Sequence, residues 1–139
     1  MDVTSLPFNH FIGIAHAPQP DGRLSLPGDP RYTNHLGTVH ASALFALAEA
    51  ASGDCLAREF SDLGIAVIPV VRRVEAKFRK PAVGAIFAQA SITAEKKAEF
   101  VATLTGKGRA LLEIAVEIQD EKGTSALTAT VEWFVARKD

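Results

Sequence analysis

Ala41-Ser42-Ala43-Leu44-Phe45-Ala46-Leu47-Ala48-Glu49-Ala50-Ala51-Ser52-Gly53-Asp54-Cys55-Leu56-Ala57-Arg58-Glu59 is the stretch on which the reading of the fold turns. It holds seven alanines and no Gly or Pro before Gly53, so it reads as one long helix. Leu44, Leu47, Ala48, Ala51 and Cys55 recur at helical spacing and form an apolar stripe. The other sides of its first three turns are also small or apolar. Such a helix is enclosed on most of its surface. Asp54 and Arg58 are one turn apart and suit an ion pair. Gly64 reads as a stop signal just beyond.

Downstream of this helix the period changes from helical to two. Ile68, Val70, Val74, Ala76 and Phe78 are expected on one face of a long strand, with Arg73, Glu75, Lys77 and Arg79 on the other. Ile86 to Ile92, Leu112 to Ile118 and Leu127 to Val135 alternate in the same way, and Asp120 to Gly123 reads as a hairpin turn. Alternation of this kind predicts an antiparallel sheet with one face on the core. Glu95 to Leu104 is ambiguous and fits a short connecting helix. Upstream, Phe8 to Ala17 has strand character. Pro18, Pro20 and Asp21-Gly22 then mark a turn, and Arg23 to Leu26 suits a short return strand. A loop rich in polar and ring side chains covers Arg31 to Val39. The apolar face of the sheet must pack on something, and only one long helix is available. The expected architecture is a sheet curled around the 41–59 helix, in one domain spanning residues 1–139.

Composition narrows the function. Hydrophobic residues are 47% and charged residues 22%, which excludes disordered, collagen-like and disulfide-framework classes. A single cysteine, Cys55, forbids an internal disulfide and any cysteine-based zinc site. Met1 to Phe11 has no basic start and no long apolar core, so no signal peptide is expected. The longest uncharged apolar run, Gly64 to Val71, is too short for a bilayer, which needs about 20 residues. The expectation is a cytoplasmic protein with no membrane partner.

The net charge of −1 conceals an asymmetry. Nine basic and three acidic residues lie between Arg72 and Arg109, so that stretch is +6 and the remainder −7. A nucleic-acid binder usually has a basic total, so no nucleic-acid partner is expected. A local basic stretch suits a small phosphorylated ligand.

The chemistry concentrates in Asn34-His35-Leu36-Gly37-Thr38-Val39-His40-Ala41-Ser42 and in Glu49. Ala41 and Ser42 are expected to supply the free N–H groups of a helix start, a ready site for an oxyanion. Glu49 shares a face with Ser42, Phe45, Ala46, Ser52 and Gly53 and has no basic residue one turn away. A carboxylate among small apolar residues is poorly solvated, and its pKa rises. Glu49 also lies roughly 10 Å along the axis from the first N–H groups of its own helix. Two helices antiparallel across a two-fold axis would bring each helix start to the other chain's Glu49. A homo-oligomer with a shared site is expected, a dimer or a dimer of dimers. No metal is expected.

Asn34 six residues before His40, His40 opening a helix, and an acid nine residues beyond resemble the hot-dog-fold acyl-CoA thioesterases of the phenylacetate-pathway type. Phe78-Arg79-Lys80-Pro81-Ala82 and the Asp120-Glu121-Lys122-Gly123 hairpin fit as well. The resemblance covers roughly residues 11–135. It implies a hot-dog fold and hydrolysis of an acyl-CoA of medium-chain or aryl type, with coenzyme A as part of the substrate and no other cofactor. It also implies roles for catalytic residues. Glu49 is general base or nucleophile, Asn34 and His40 shape the site, and the Ala41 N–H binds the thioester oxygen. Where the family usually has two glycines after the His, this chain has Ala41 and Ser42. Val71 stands near the place where some relatives carry a water-positioning Ser or Thr. Ser42 joins the substrate-binding set, and Arg79, Lys80, Lys96 and Lys97 are the candidates for the coenzyme's phosphates. Two alternatives stay open. One is a hydroxyacyl dehydratase, which His35 and Glu49 resemble by their separation of fourteen residues. The other is an acyl-CoA binder or sensor without turnover.

Overall fold

A computed structural model describes residues 1–18 and 23–139. Among the described residues, three α-helices, α1 (Pro7–Ile12), α2 (Ala41–Glu59) and α3 (Ala94–Lys107), accompany six strands: β1 (Ala15–His16), β2 (Leu24–Leu26), β3 (Val67–Phe78), β4 (Ile86–Ser91), β5 (Arg109–Asp120) and β6 (Ser125–Arg137). The strands form one sheet in the order β1-β2-β4-β5-β6-β3, every neighbour antiparallel. The sheet packs its apolar face on α2, as the alternation requires. Ile86, Ala88, Leu112, Ile114, Val116, Ile118, Leu127, Val131 and Val135 are all buried against Leu44, Leu47, Ala48, Ala51 and Cys55. No helix among the described residues is long and apolar enough to cross a membrane.

Helix α2 is held by more than its apolar stripe. Trp133 on β6 donates its indole N–H to Ser52 Oγ at 3.0 Å, and that hydroxyl donates to the Glu49 carbonyl at 2.7 Å. Ser52 has no exposed surface. Gly53 lies against the Trp133 ring, which an added Cβ would meet at 3.4 Å. The relay fixes the turn of α2 that carries Glu49 onto the sheet. Ser52→Ala strands the indole N–H, and an unmet buried donor costs about 1–3 kcal/mol. A drop of that size in denaturant-unfolding stability is the expected result. Asp54, also buried, is bonded to Arg58 Nε at 2.9 Å, as their spacing suggests.

Three sequence expectations need correction. Phe8–Ala17 is not a strand: it is α1 followed by the two-residue β1. Pro7 begins α1, where its missing N–H costs nothing, and Gly13 ends it with φ +88°. A Cβ at Gly13 would sit 2.5 Å from the Tyr32 hydroxyl, which donates to the Ile12 carbonyl. The second correction lies in β3. Val67, Pro69 and Val71 face inward with Val135 and Trp133, whereas Ile68 and Val70 face outward beside Phe134. A bulge between Val71 and Arg73 reverses the alternation, so that Val74, Ala76 and Phe78 return to the inner side. The third is α3, which spans 14 residues rather than a short link. Thr93 caps it through the Lys96 N–H, and it buries only Phe100 and Leu104, one turn apart. Leu24–Leu26 is the expected return strand. The turn expected at Pro18 to Gly22 lies, beyond Pro18, outside the described residues.

Candidate functional site

The loop before α2 is folded by its own side chains. Asn34 Oδ1 accepts from the Leu36 N–H at 2.9 Å and the Thr38 N–H at 3.1 Å, and Asn34 Nδ2 donates to Thr38 Oγ1 at 2.9 Å. An isolated bridge between Thr33 and Val39 closes this loop. Asn34 thus acts on the backbone two and four residues on, the Asx geometry its short amide favours. His35 and Leu36 are exposed at the tip.

His40 is the N-cap of α2, and its Nδ1 accepts from the Ser42 N–H at 2.9 Å. Ser42 therefore does not offer a free donor, contrary to the expectation for it. The Ala43 and Leu44 N–H groups reach the His40 carbonyl. Ala41, at the first helical position, keeps an N–H with no partner among the described residues. A helix start with one open amide, exposed to approach, can hold a polarised oxygen.

The same loop reaches the segment after β3. The Val39 N–H donates to the Ala82 carbonyl at 2.9 Å, so Arg79 and Lys80 lie within a few residues of a direct link to the helix start. Arg79 Nε also donates to Thr128 Oγ1 at 3.1 Å. Lys96 and Lys97 are placed elsewhere, at the start of α3. Lys96 is bonded to Glu113 at 3.2 Å and Lys97 to Glu59 at 2.8 Å, beside the far end of α2. The four candidate cations form two separate groups.

Glu49 is half-buried in the middle of α2, and burial pushes its carboxyl above the ordinary carboxylate range. Its side chain makes no ion pair and no hydrogen bond among the described residues. The face it shares with Ser42, Phe45, Ala46 and Gly53 is open to solvent to varying degrees, with Phe45 42% exposed. Glu49 also lines one end of an apolar cavity of about 520 Å³. A second cavity of the same size lies beside His40 and Ser42, walled by Phe8, Phe11 and Tyr32. Sequence reasoning missed both, because their walls come from segments far apart in the chain. Cys55 is no rival nucleophile: burial pushes its thiol up to about 11, so the thiolate is scarce at neutral pH. The pieces on one chain are thus an uncompensated carboxyl and an open amide, roughly 12 Å apart along one helix.

The sequence pattern of DUF4442, described as a domain of unknown function, matches residues 14–135. A search of the curated proteins found no match. Solved structures do match. One from Pseudomonas aeruginosa, a protein of unknown function described as "probable thioesterase", is 26% identical with a TM-score of 0.79, over 98% of this chain and 91% of that one. A Bacillus halodurans protein solved with CoA is 20% identical with a TM-score of 0.70, over 94% and 76%. A thioesterase from Haemophilus influenzae is 18% identical with a TM-score of 0.69, over 97% and 86%. The fold common to them and to this chain is the hot-dog fold of the thioesterase superfamily.

Proposed function

Because the chain belongs to the DUF4442 family and carries the thioesterase-type hot-dog fold, we propose that it hydrolyses an acyl-CoA to a carboxylic acid and free CoA. The observation that carries this reading is that one helix presents both Glu49, an uncompensated and partly desolvated carboxyl, and an open N–H at Ala41. Acyl transfer needs both a base for water and a donor for the developing oxyanion. Glu49 takes a proton from a water molecule, and the water oxygen forms a bond to the thioester carbon. The carbonyl oxygen gains charge against the Ala41 N–H. The C–S bond then breaks, and the thiolate leaves with the proton that Glu49 holds. His40 holds the helix start in shape through the Ser42 N–H, and Asn34 holds the loop before it.

Base and donor serve one carbonyl when they come from two copies of the chain. Two features support a homodimer. The 12-residue strand β3 is an edge strand with its outer side unpaired among the described residues. The open face of α2 has only Phe45 as a large residue, so a second helix can approach closely. Long edges with apolar residues invite pairing, and a two-fold axis makes the contact self-complementary.

A panel of acyl-CoA esters assayed for thiol release tests the reading. Turnover lowered about 100-fold or more by Glu49→Gln is the expected result. Tight binding with no turnover on any ester would contradict it and favour a sensor. The Arg79–Lys80 pair, linked to the helix start, is the better placed of the two groups for the phosphates. Arg79→Glu with Lys80→Glu should raise KM several-fold and leave kcat nearly unchanged, as loss of uniform binding does. An unchanged KM would remove them from the site.

A further inference from the structure

We propose that the cavity beginning at Glu49 holds a linear acyl chain of medium length, about eight to twelve carbons, and that Phe60 and Phe100 set its limit. The inference rests on the thioesterase reading only for the group that delivers the chain. Glu49, Gly53, Leu56, Ala57 and Phe60 line the cavity at helical spacing, so it runs along one stripe of α2. From Glu49 to Phe60 the helix rises about 16 Å. The facing wall gives a second measure. Trp133 pairs with Val71, Val135 with Pro69, and the cavity's strand wall ends at Val67. From Val71 to Val67 the strand covers about 13 Å.

The walls are apolar almost throughout, and Phe60 and Phe100 stand at the end away from Glu49. The Phe60 and Phe100 rings meet with centroids 4.8 Å apart, and Phe100 is buried. Outside Phe60 lies the ammonium of Lys97, 5.7 Å from the ring centroid and paired with Glu59. A chain advancing from Glu49 meets an aromatic pair and then an ion pair. The N-terminal segment closes one side: Val3 and Leu6 line the cavity, and Asn9 Nδ2 donates to the Val3 carbonyl at 2.9 Å to hold that segment in place. A zigzag chain advances about 1.3 Å per carbon, given bonds of about 1.5 Å. A slot of 13–16 Å therefore takes a chain of about ten carbons. A single aryl ring fills less than half of it. The volume of about 520 Å³ is ample for such a chain.

The test is kcat/KM over straight-chain acyl-CoAs from two to eighteen carbons, with benzoyl-CoA alongside. Each methylene that enters the slot should raise kcat/KM by up to roughly fourfold. The rise should stop between about eight and twelve carbons, where the slot ends. Ala57→Phe fills the slot and should lower the decanoyl-to-butyryl ratio at least tenfold. Phe60→Ala opens the end and should move the optimum to longer chains. Trp133, the only tryptophan, lines the slot and reports occupancy without turnover. Decanoyl-CoA should change its fluorescence saturably, acetyl-CoA should not, and Ala57→Phe should abolish the change. If esters are hydrolysed but neither variant moves the ratio, or if benzoyl-CoA is the best substrate, the slot assignment fails while the thioesterase reading stands. If nothing is hydrolysed but Trp133 responds to chain length as described, the thioesterase reading fails and the slot stands. No Trp133 response to any chain overturns the slot.

Discussion

Glu49→Gln lowers kcat about 100- to 10,000-fold on any acyl-CoA the protein turns over, the range lost with a general base. The amide keeps the shape and hydrogen-bonding bulk of the side chain but cannot take a proton from water. The same variant carries a second signature. Burial raises the Glu49 carboxyl, so the folded chain holds this proton at a pH where the unfolded chain has released it. Stability therefore falls as pH rises through the interval between the ordinary carboxylate value and the raised one, and stays lowered above it. Gln has no charge to bury. The thermal midpoint of Glu49→Gln should exceed that of the native chain at about pH 7 and converge with it at about pH 3, below both ionisations. Loss of activity together with gain of neutral-pH stability identifies a carboxyl held at a functional cost. Loss of both would mean that Glu49 supports the fold instead.

Ala41→Pro is the second large effect, because it removes one hydrogen atom of interest. Proline has no N–H, is well suited to the first helical position, and requires an extended residue before it. His40 already has φ −62° and ψ 139°. The helix should therefore persist, with an unchanged circular dichroism spectrum and melting curve. If the Ala41 N–H receives the thioester oxygen, kcat falls about 100- to 1,000-fold, the cost of one lost oxyanion donor. Full activity in a folded Ala41→Pro protein would move the oxyanion site elsewhere.

Much of this fold is readable in the chain because its signals are local. The alanine-rich 41–59 segment and the strict alternation in β4, β5 and β6 each follow from one element facing one core. What escapes is either short or distant. Helix α1 has six residues, and Phe8 and Phe11 are 63% and 81% exposed, so no buried stripe betrays it. Pro7 and Gly13 were the available signals. The β3 bulge adds one residue that no alternation can announce in advance, and it alone turns Ile68 and Val70 outward. Glu49 is conspicuous as an acid among small residues without a basic neighbour. Its anchorage through Ser52 to Trp133 joins positions 81 residues apart and leaves no local trace. His40 is legible as the residue before the helix, but its capture of the Ser42 N–H depends on a rotamer that only the folded loop imposes.

In the proposed mechanism one carbonyl is served by Glu49 of one copy and Ala41 of another. Mixing the two inactive variants, Glu49→Gln and Ala41→Pro, tests it directly. Subunit exchange is followed by native mass spectrometry and thiol release is measured on the same sample. A mixed dimer holds one site with both defects and one with neither. At equal concentrations and full exchange, half the dimers are mixed, so about a quarter of native activity should return. Thiol release that stays at the sum of the two parent variants, with mixed dimers present, contradicts the shared site.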